Sequence, residues 1–522
     1  MLTHSLLNAP VWLGFPVLAA AVVIYFLWNR YGSGLNGIAG PFLASGSDYW
    51  RLFLVWGRRP ELTHQRLHEE YGDLVRIGPK TVLVSDWTAV KKIYGLNAGY
   101  VKSGFYPVQQ NIAKGTPLRS LFNTTDEKFH SKLRRSVANA YSMSNLVQFE
   151  PLVDSTIAAF VRQLEARFVD KPGDEGVADF GTWLHYYAFD VIGELTFSKR
   201  LGFIDDAKDV DGIIETLENM LDYFAVVGQN PWLDRLLWKN PLLLWCNDHG
   251  ITDTTSPVAV FARAHMAARL GKKDRSDTQG GKSTSDLRRD FLDRFLDANK
   301  KDPVFISDER VLALTVANIF AGADTTAITL RSVFYFLLKN PECLRRLLAE
   351  LATADLGPNS QIVSWEIAHN LPYLTAVIQE SLRMHPAVGL PLERVVPAGG
   401  LEVNGVFIPP GTIVGATARA IHSKSSIFGS RPEIFAPERW LNASESKRTE
   451  MNSALFSFGM GARTCIGKNI SLLEMYKLVP TLLRQYEITF ARQDSDWMLH
   501  NAWFVKQKNF FVRLRRLNHA VN

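Results

Sequence analysis

Residues 456–467 read "FSFGMGARTCIG", which sets two phenylalanines, three glycines and an arginine around Cys465. The 522-residue chain has only two other cysteines, Cys246 and Cys343. Gly459, Gly461 and Gly467 let the backbone bend and come close to whatever it faces, because a residue without Cβ tolerates conformations that others do not. Phe456 and Phe458 supply an apolar wall. Backbone amides in such a turn can aim at a sulfur and favour its thiolate. "GKNISLLEMYKLVPTLL" then opens a helix whose positive amino end lies near that anion.

Two readings of Cys465 stand at this point. One is a structural cysteine, the common fate of a free thiol. The other is a screened, hydrogen-bonded thiolate facing a planar surface, which is the setting of an axial haem-iron ligand. A dinucleotide fingerprint is excluded, since "GMGART" lacks the third glycine of GxGxxG. "GGKST", within residues 270–290, is a near-miss to a phosphate-binding loop. It has Ser276 where a glycine is needed and no strand before it, so it is discarded.

Composition bounds the rest. With 47% hydrophobic and 21% charged residues the chain is ordinarily globular, and its length suits one large enzyme body with small appendages. Three cysteines without CxxC spacing argue against disulfides and multi-cysteine zinc, and fit a reducing compartment. A formal charge of +6 is compatible with an acidic protein partner or an anionic membrane, and equally with a plain solvated surface. Nothing points to nucleic acid.

The amino end is more decisive. Val11–Trp28, "VWLGFPVLAAAVVIYFLW", carries no charge; as a helix it spans about 27 Å, enough for a thin endoplasmic-reticulum bilayer. Trp12, Tyr25 and Trp28 sit near its ends, where aromatic rings favour the interface. Arg30, Arg51, Arg58 and Arg59 follow it and no Lys or Arg precedes it. That asymmetry places the body in the cytosol. A cleaved signal peptide would need a basic n-region and a small-residue cleavage site. The expected order is therefore a lumenal tail over 1–10, an anchor over 11–28, a Gly- and Asn-rich hinge over 29–45 and a catalytic body over 46–522.

Within the body, "DLVRIGPKTVLVSD" and "LEVNGVFIPPGTIVGA" predict hairpins, the second on Asn404-Gly405. Residues 86–385 read as mostly helical, with 270–290 as a polar loop. The tail beyond Tyr486 alternates again, and no internal repeat is visible. The fold class is mainly α with small β-sheets, plus one N-terminal transmembrane helix.

The loop around Cys465 resembles the F-x-x-G-x-[RH]-x-C-x-G signature of cytochrome P450. Other stretches match that family in order. "ESLR" places Glu380 and Arg383 on one helical face, ended by "MHP". Alone, the pair reads as a surface ion pair worth about 0.5 kcal/mol; the resemblance implies a buried network with Arg439 of "FAPERW". "RVLALTVANIFAGADTTAITLRSVFYFLL", capped by Ser307, carries the pattern [AG]-G-x-[DE]-T-[TS]. A mid-helix threonine usually bonds back to the carbonyl four residues earlier. The resemblance implies instead a groove where Thr325 holds water and oxygen over the iron and Asp324 relays protons. For the haem propionates it implies Arg463, the pair His130 and Arg134 in "HSKLRR", and Arg394 in "LPLERV". At Arg394 a solvated charge explains the residue equally well. Phe458 would lie against the haem and Cys465 would be the axial ligand.

The resemblance covers 36–515 and is nearest to fungal microsomal, pisatin-demethylase-like members, as in "VANAYSMSNLVQFEPLVDSTI" and "VGLPLERVVPAGG". "AIHSKSSIFG" departs from it, lacking the acidic residue often found after this histidine. The expectation is a haem b monooxygenase of the endoplasmic reticulum. It would take O2 and electrons from an NADPH-cytochrome P450 reductase and hydroxylate or demethylate a hydrophobic fungal metabolite. Its pocket would draw on "SGFYPVQQNI", "NMLDYFAVVGQ" and "PAVGLP". The rivals are a haem-thiolate isomerase or dehydratase needing no reductase, against which the acid–threonine pair counts, and a haem-binding membrane sensor or electron carrier. Sequons at Asn123, Asn442 and Asn469 would be unused in the cytosol.

Overall fold

The structure, a computed structural model, describes residues 11–113, 115–252, 257–277, 290–354, 361–492 and 496–517. In chain order the helices that frame the interior are α1 (Val11–Tyr31), α2 (Tyr49–Trp56), α3 (Glu127–Val137), α4 (Glu150–Arg167), α5 (Phe180–Phe197), α6 (Ile213–Val227), α7 (Asp308–Lys339), α8 (Pro372–Met384) and α9 (Lys468–Gln485). Besides a short hairpin of Ile112–Ala113 with Thr116–Pro117, the strands are β1 (Leu74–Gly78), β2 (Thr81–Val84), β3 (Val101–Lys102), β4 (Ala178–Asp179), β5 (Arg394–Val395), β6 (Leu401–Val403), β7 (Val406–Ile408), β8 (Ile413–Gly415), β9 (Tyr486–Phe490), β10 (Met498–Ala502), β11 (Phe504–Lys508) and β12 (Phe511–Arg516).

The long helix α7 is the axle. Ser307 caps it, its hydroxyl accepting the Arg310 N–H, with Asp308 and Glu309 in the first turn and Lys339 in the last, where each charge suits the helix dipole. It passes a length-and-hydropathy test for a membrane span, yet 61% of its apolar window is buried inside the protein. The helix beside it, α5, is buried on nearly every side, so its hydrophobic residues run all round it. Gly322 sets how close the two come: a Cβ there would lie 2.9 Å from Ile192 Cδ1. That glycine serves helix packing as well as any groove.

A five-stranded sheet runs β1-β2-β8-β5-β3, with β8 parallel to β2 and the other pairs antiparallel. The Asn404-Gly405 turn joins β6 to β7 with both residues at positive φ, 51° and 78°, as a two-residue hairpin of this twist requires. A second sheet runs β9-β12-β4, and β10-β11 forms a separate hairpin.

Three expectations shift. The apolar N-terminal helix runs to Tyr31, three residues beyond Trp28, and most of its large side chains from Phe15 onward are exposed, Phe26 being half-buried against Phe42. Residues 1–10 lie outside the described residues. The segment read as a hinge is tied down, because the buried Arg76 guanidinium donates to the Asn29, Arg30 and Ser45 carbonyls and to Ser33 Oγ. The stretch 270–290 is helical as far as Asp277, and 278–289 lie outside the described residues. Lys and Arg are good helix formers, so polarity there did not mean coil.

Candidate active site

The cysteine loop is built backwards from its hydrogen bonds. Gly459 and Gly461 adopt φ of 66° and 65°, a region where only glycine is at ease. At Gly461 a Cβ would fall 1.9 Å from the Tyr94 carbonyl oxygen, so no side chain fits. The turn returns Cys465 N–H to the Phe458 carbonyl at 2.8 Å. Arg134, on α3, donates to the neighbouring Thr464 carbonyl at 2.9 Å. The Cys465 side chain is exposed and opens on a recess of about 360 Å³ shared with Arg134, Tyr141, Thr464, Ile466 and Lys468. A larger recess of about 530 Å³, lined by Phe428, Arg431 and Arg439, lies away from this chemistry.

Although reachable, the thiol is hemmed in by protein, and burial pushes it up. The Gly467 N–H, the Arg134 charge, and the N–H and charge of Lys468 pull the other way. These are groups that favour a thiolate once something accepts its charge. Gly467 itself is at a negative φ, as the N-cap of α9.

Behind the loop lies a buried carboxylate with five donors. Glu380 accepts from Arg383 Nε at 2.8 Å and Nη2 at 2.7 Å, Arg439 Nε at 2.9 Å, Trp440 Nε1 at 2.9 Å and the Ala436 N–H at 3.0 Å. Burial pushes Glu380 up, but Arg383 and then Arg439 hold it below the usual carboxylate range. Arg383 also donates to the His422, Pro432 and Ile434 carbonyls. His422 completes the tie: Nδ1 donates to the Arg383 carbonyl at 2.8 Å, and Nε2 accepts the Phe456 N–H at 2.9 Å. The network thus reaches the cysteine loop through His422, at the spot where the sequence departed from the family pattern.

Because Nε2 must accept, His422 has to stay neutral. Burial, then the Arg383 charge, lowers it to about 3; burial alone leads in lowering His385 to about 4 and His64 to about 3. In each case the unfolded chain, titrating near 6.5, binds the proton first. The stability is present above about pH 6.5 and is lost as pH falls from there, by about 1.4 kcal/mol per pH unit for each such histidine. A thermal-unfolding series should show the midpoint dropping between about pH 6.5 and pH 4, and His422→Gln should flatten the slope.

The cations form a second cluster. Lys102 on β3 and Arg394 on β5 stand directly opposite in register, an arrangement that destabilises a sheet unless an anion lies between. Lys102 is buried over the Tyr106 and Phe122 rings at 4.1 and 4.4 Å, and burial, then Arg394 and Arg463, drives it well below the lysine range. His130, on α3, is lowered to about 3 by burial and then by Arg463, Lys102, Arg134 and Arg394. Glu127 answers Arg463 at 2.7 Å and Glu393 answers Arg51. No carboxylate lies within ion-pair distance of Lys102, Arg134 or Arg394 among the described residues. A ligand bringing two carboxylates would answer them, as the two propionates of haem b do, so the residues present fit that group.

On α7, Ala321 is exposed and Ala317 and Thr325 are partly so, in the middle of an otherwise buried helix. Spaced by four, they make one stripe facing an internal space. Thr325 donates to the Ala321 carbonyl at 2.8 Å, the back-bond that a mid-helix threonine ordinarily makes. Asp324 points elsewhere. It is fully buried, 2.5 Å from His185 Nε2 on α5 and 3.0 Å from Lys506 Nζ on β11. Burial pushes it up, but the Lys506 charge and the His185 hydrogen bond hold it ionised, below the usual range. His185 is a neutral donor there, kept below its ordinary value by burial. The acid and the alcohol are thus neighbours in sequence and apart in direction. Thr326 does a third job, meeting Ser471 of α9 at 2.8 Å.

Sequence reasoning missed Lys102, His185, His422 and Lys506. A basic residue in a β-rich stretch, as in "YVKSGF", was the one available signal for Lys102; the others depend on contacts between distant segments.

A family model described as Cytochrome P450 matches residues 49–513. The chain is 41% identical over 493 residues to a cytochrome P450 monooxygenase of Aspergillus terreus, covering 94% of this chain and 96% of that one. It is 41% identical over 500 residues to the cytochrome P450 monooxygenase cicH of Emericella nidulans, with 95% and 96% covered. To asR2 of Sarocladium schorii, also a cytochrome P450 monooxygenase, it is 36% identical over 521 residues, with 99% and 97% covered. Matches running through the cysteine loop, the Glu380 network and α7 alike make this chain a member of the cytochrome P450 family, a monooxygenase that works with haem b.

Proposed function

We propose that this enzyme hydroxylates or oxidatively demethylates a hydrophobic small molecule of fungal secondary metabolism, using O2 and electrons from an NADPH-cytochrome P450 reductase, on the cytosolic face of the endoplasmic reticulum. One observation carries the reading: Cys465 is exposed on a recess that Arg134 also lines, and Arg134, Lys102 and Arg394 meet no carboxylate within ion-pair distance among the described residues. In this reading Cys465 would supply the sulfur ligand to the iron, Lys102, His130, Arg134, Arg394 and Arg463 would hold the propionates, and Phe458 would pack beside the ring. Haem b supplies the redox chemistry that activates oxygen.

The protein's part is to bind, to exclude water and to meter protons. Phe105, Tyr106, Phe122, Phe224 and Trp503 form a buried aromatic cluster with neighbouring centroids 4.5 to 6.4 Å apart. Such a wall suits an apolar, ring-containing substrate. With haem bound, the Thr325 hydroxyl would exchange its back-bond for a water and hold a proton there, and Asp324 would resupply it. That acid and alcohol weigh against an isomerase or dehydratase.

Membrane attachment is supported by the exposed apolar side chains of α1 and by a second exposed set that includes Phe42, Phe53, Trp56, Trp232, Trp238 and Leu242.

Expression with a reductase partner, followed by profiling of metabolites gained and lost, tests the reading. Turnover that continued without NADPH and reductase would overturn it. Thr325→Ala should leave NADPH oxidation running while product per NADPH falls roughly ten- to a hundred-fold, peroxide making up the difference, an effect at or below what a positioned proton carrier contributes. Unchanged coupling removes Thr325 from the proton path.

A further inference from the structure

We infer that Lys506 is a positioning residue that couples the seating of α6 over the interior to the freedom of Asp324 to carry a proton; the inference rests on the oxygenase reading above. Its basis is a lysine shared between two acids on two different helices. In the β10-β11 hairpin His500 and Lys506 are direct cross-strand partners. Helix α6 meets them with Glu218 and Asp222, four apart and so on one face. Lys506 Nζ is 3.2 Å from Glu218 Oε1, and His500 Nε2 is 3.0 Å from Asp222 Oδ1, which Arg58 also reaches at 2.9 Å. The same Lys506 ammonium is 3.0 Å from Asp324 Oδ2.

The two acids are held unequally. Asp324 is fully buried, whereas the Glu218 side chain is 43% exposed. The hairpin strand is fastened to α7 by more than this pair: Gln507 Nε2 donates to the Ile328 carbonyl at 2.9 Å, and Arg331 lies at 3.5 Å from the Gln507 carbonyl. Positions 324, 328 and 331 are one face of the helix, so β11 rides with α7. Movement of α6 therefore opens Lys506–Glu218 and leaves Lys506 on Asp324. With Glu218 gone, the whole ammonium charge serves Asp324 and pins it as a carboxylate turned from the Thr325 stripe. With α6 seated, Glu218 takes a share of that charge. Asp324 is then free to take a proton from water, turn, pass it to the water at Thr325 and return to Lys506 and His185 as a carboxylate.

What seats α6 is on the same elements. Phe224 of α6 packs on Trp503, at the tip of the hairpin, with centroids 5.6 Å apart, and on Phe105 at 4.5 Å. Trp503 sits at φ 75°, an uncommon conformation for a bulky residue, fixed by the Gly389 N–H on its carbonyl at 2.9 Å. The Phe224–Trp503 contact thus joins the two elements of the ion-pair link, α6 and the hairpin, so packing on these rings bears on proton supply.

The test uses the haem-loaded, reductase-reconstituted enzyme with no substrate added, reading NADPH oxidation and hydrogen peroxide per haem. Lys506→Met frees Asp324 and should raise this leak several-fold; Lys506→Arg should restore it to near wild type. Glu218→Gln leaves Lys506 wholly on Asp324 and should lower the leak with a larger solvent deuterium effect. Opposite signs are the mark of partition. A purely structural role moves both variants the same way, and that result, or no change in either, overturns the inference. A second readout needs no turnover: in unfolding midpoints, Glu218→Gln and Asp324→Asn should be non-additive, and additive once Lys506 is Met. If Lys506→Met does not fold, the sign of the Glu218→Gln effect decides. Carbon monoxide spectra of the same variants, unaltered, keep failure here distinct from failure of the haem-thiolate reading.

Discussion

Glu380→Gln is expected to lose about 3–5 kcal/mol of stability, the cost of stranding buried charge when one member of an ionic network is removed. Glutamine matches the shape of the side chain but not its charge, and it turns an NH2 group toward N–H donors. Two guanidiniums, Arg383 at 2% side-chain exposure and Arg439 at 10%, then face each other without a carboxylate. Against a typical total of about 5–15 kcal/mol, the loss is large, and it falls on the frame of the cysteine loop. Arg383 fixes the His422 carbonyl, and His422 holds Phe456 N–H at the head of that loop. The unfolding midpoint should drop sharply and the yield of haem-loaded protein with it. A midpoint equal to that of the parent would show that the ionic network does not brace the loop.

What was legible in the sequence was what lies close together along the chain. The cysteine loop, the Glu380–Arg383 pair one helical turn apart and the Asn404-Gly405 turn are local patterns, and local geometry followed from them. The cation cluster was legible in part: Arg134, Arg394 and Arg463 sit in recognisable stretches. Lys102 was not, because its meaning comes from standing opposite Arg394 in a sheet register that no short window encodes. The partners of Asp324 were hidden for the same reason, His185 being 139 residues away. Thr325 shows the converse: its motif suggested an open groove, while its hydroxyl makes the ordinary back-bond. Gly322, grouped with it by pattern, is required by the approach of Ile192. Hydropathy alone was ambiguous too, since α7 is apolar enough to span a bilayer and is the core of the fold.

Cys465→Ser is the other large effect. The loop's hydrogen bonds are made by backbone, with Cys465 N–H on the Phe458 carbonyl, so the substitution leaves the turn intact and takes away the sulfur alone. Turnover should vanish, because a hydroxyl at this position stays protonated and gives iron no anionic donor. The direct measurement is the absorption spectrum of purified, haem-loaded protein, reduced under carbon monoxide. The parent is expected to show the red-shifted Soret band of thiolate ligation and the serine variant to lose it. A parent without that band, or a variant that keeps it, would contradict ligation through Cys465.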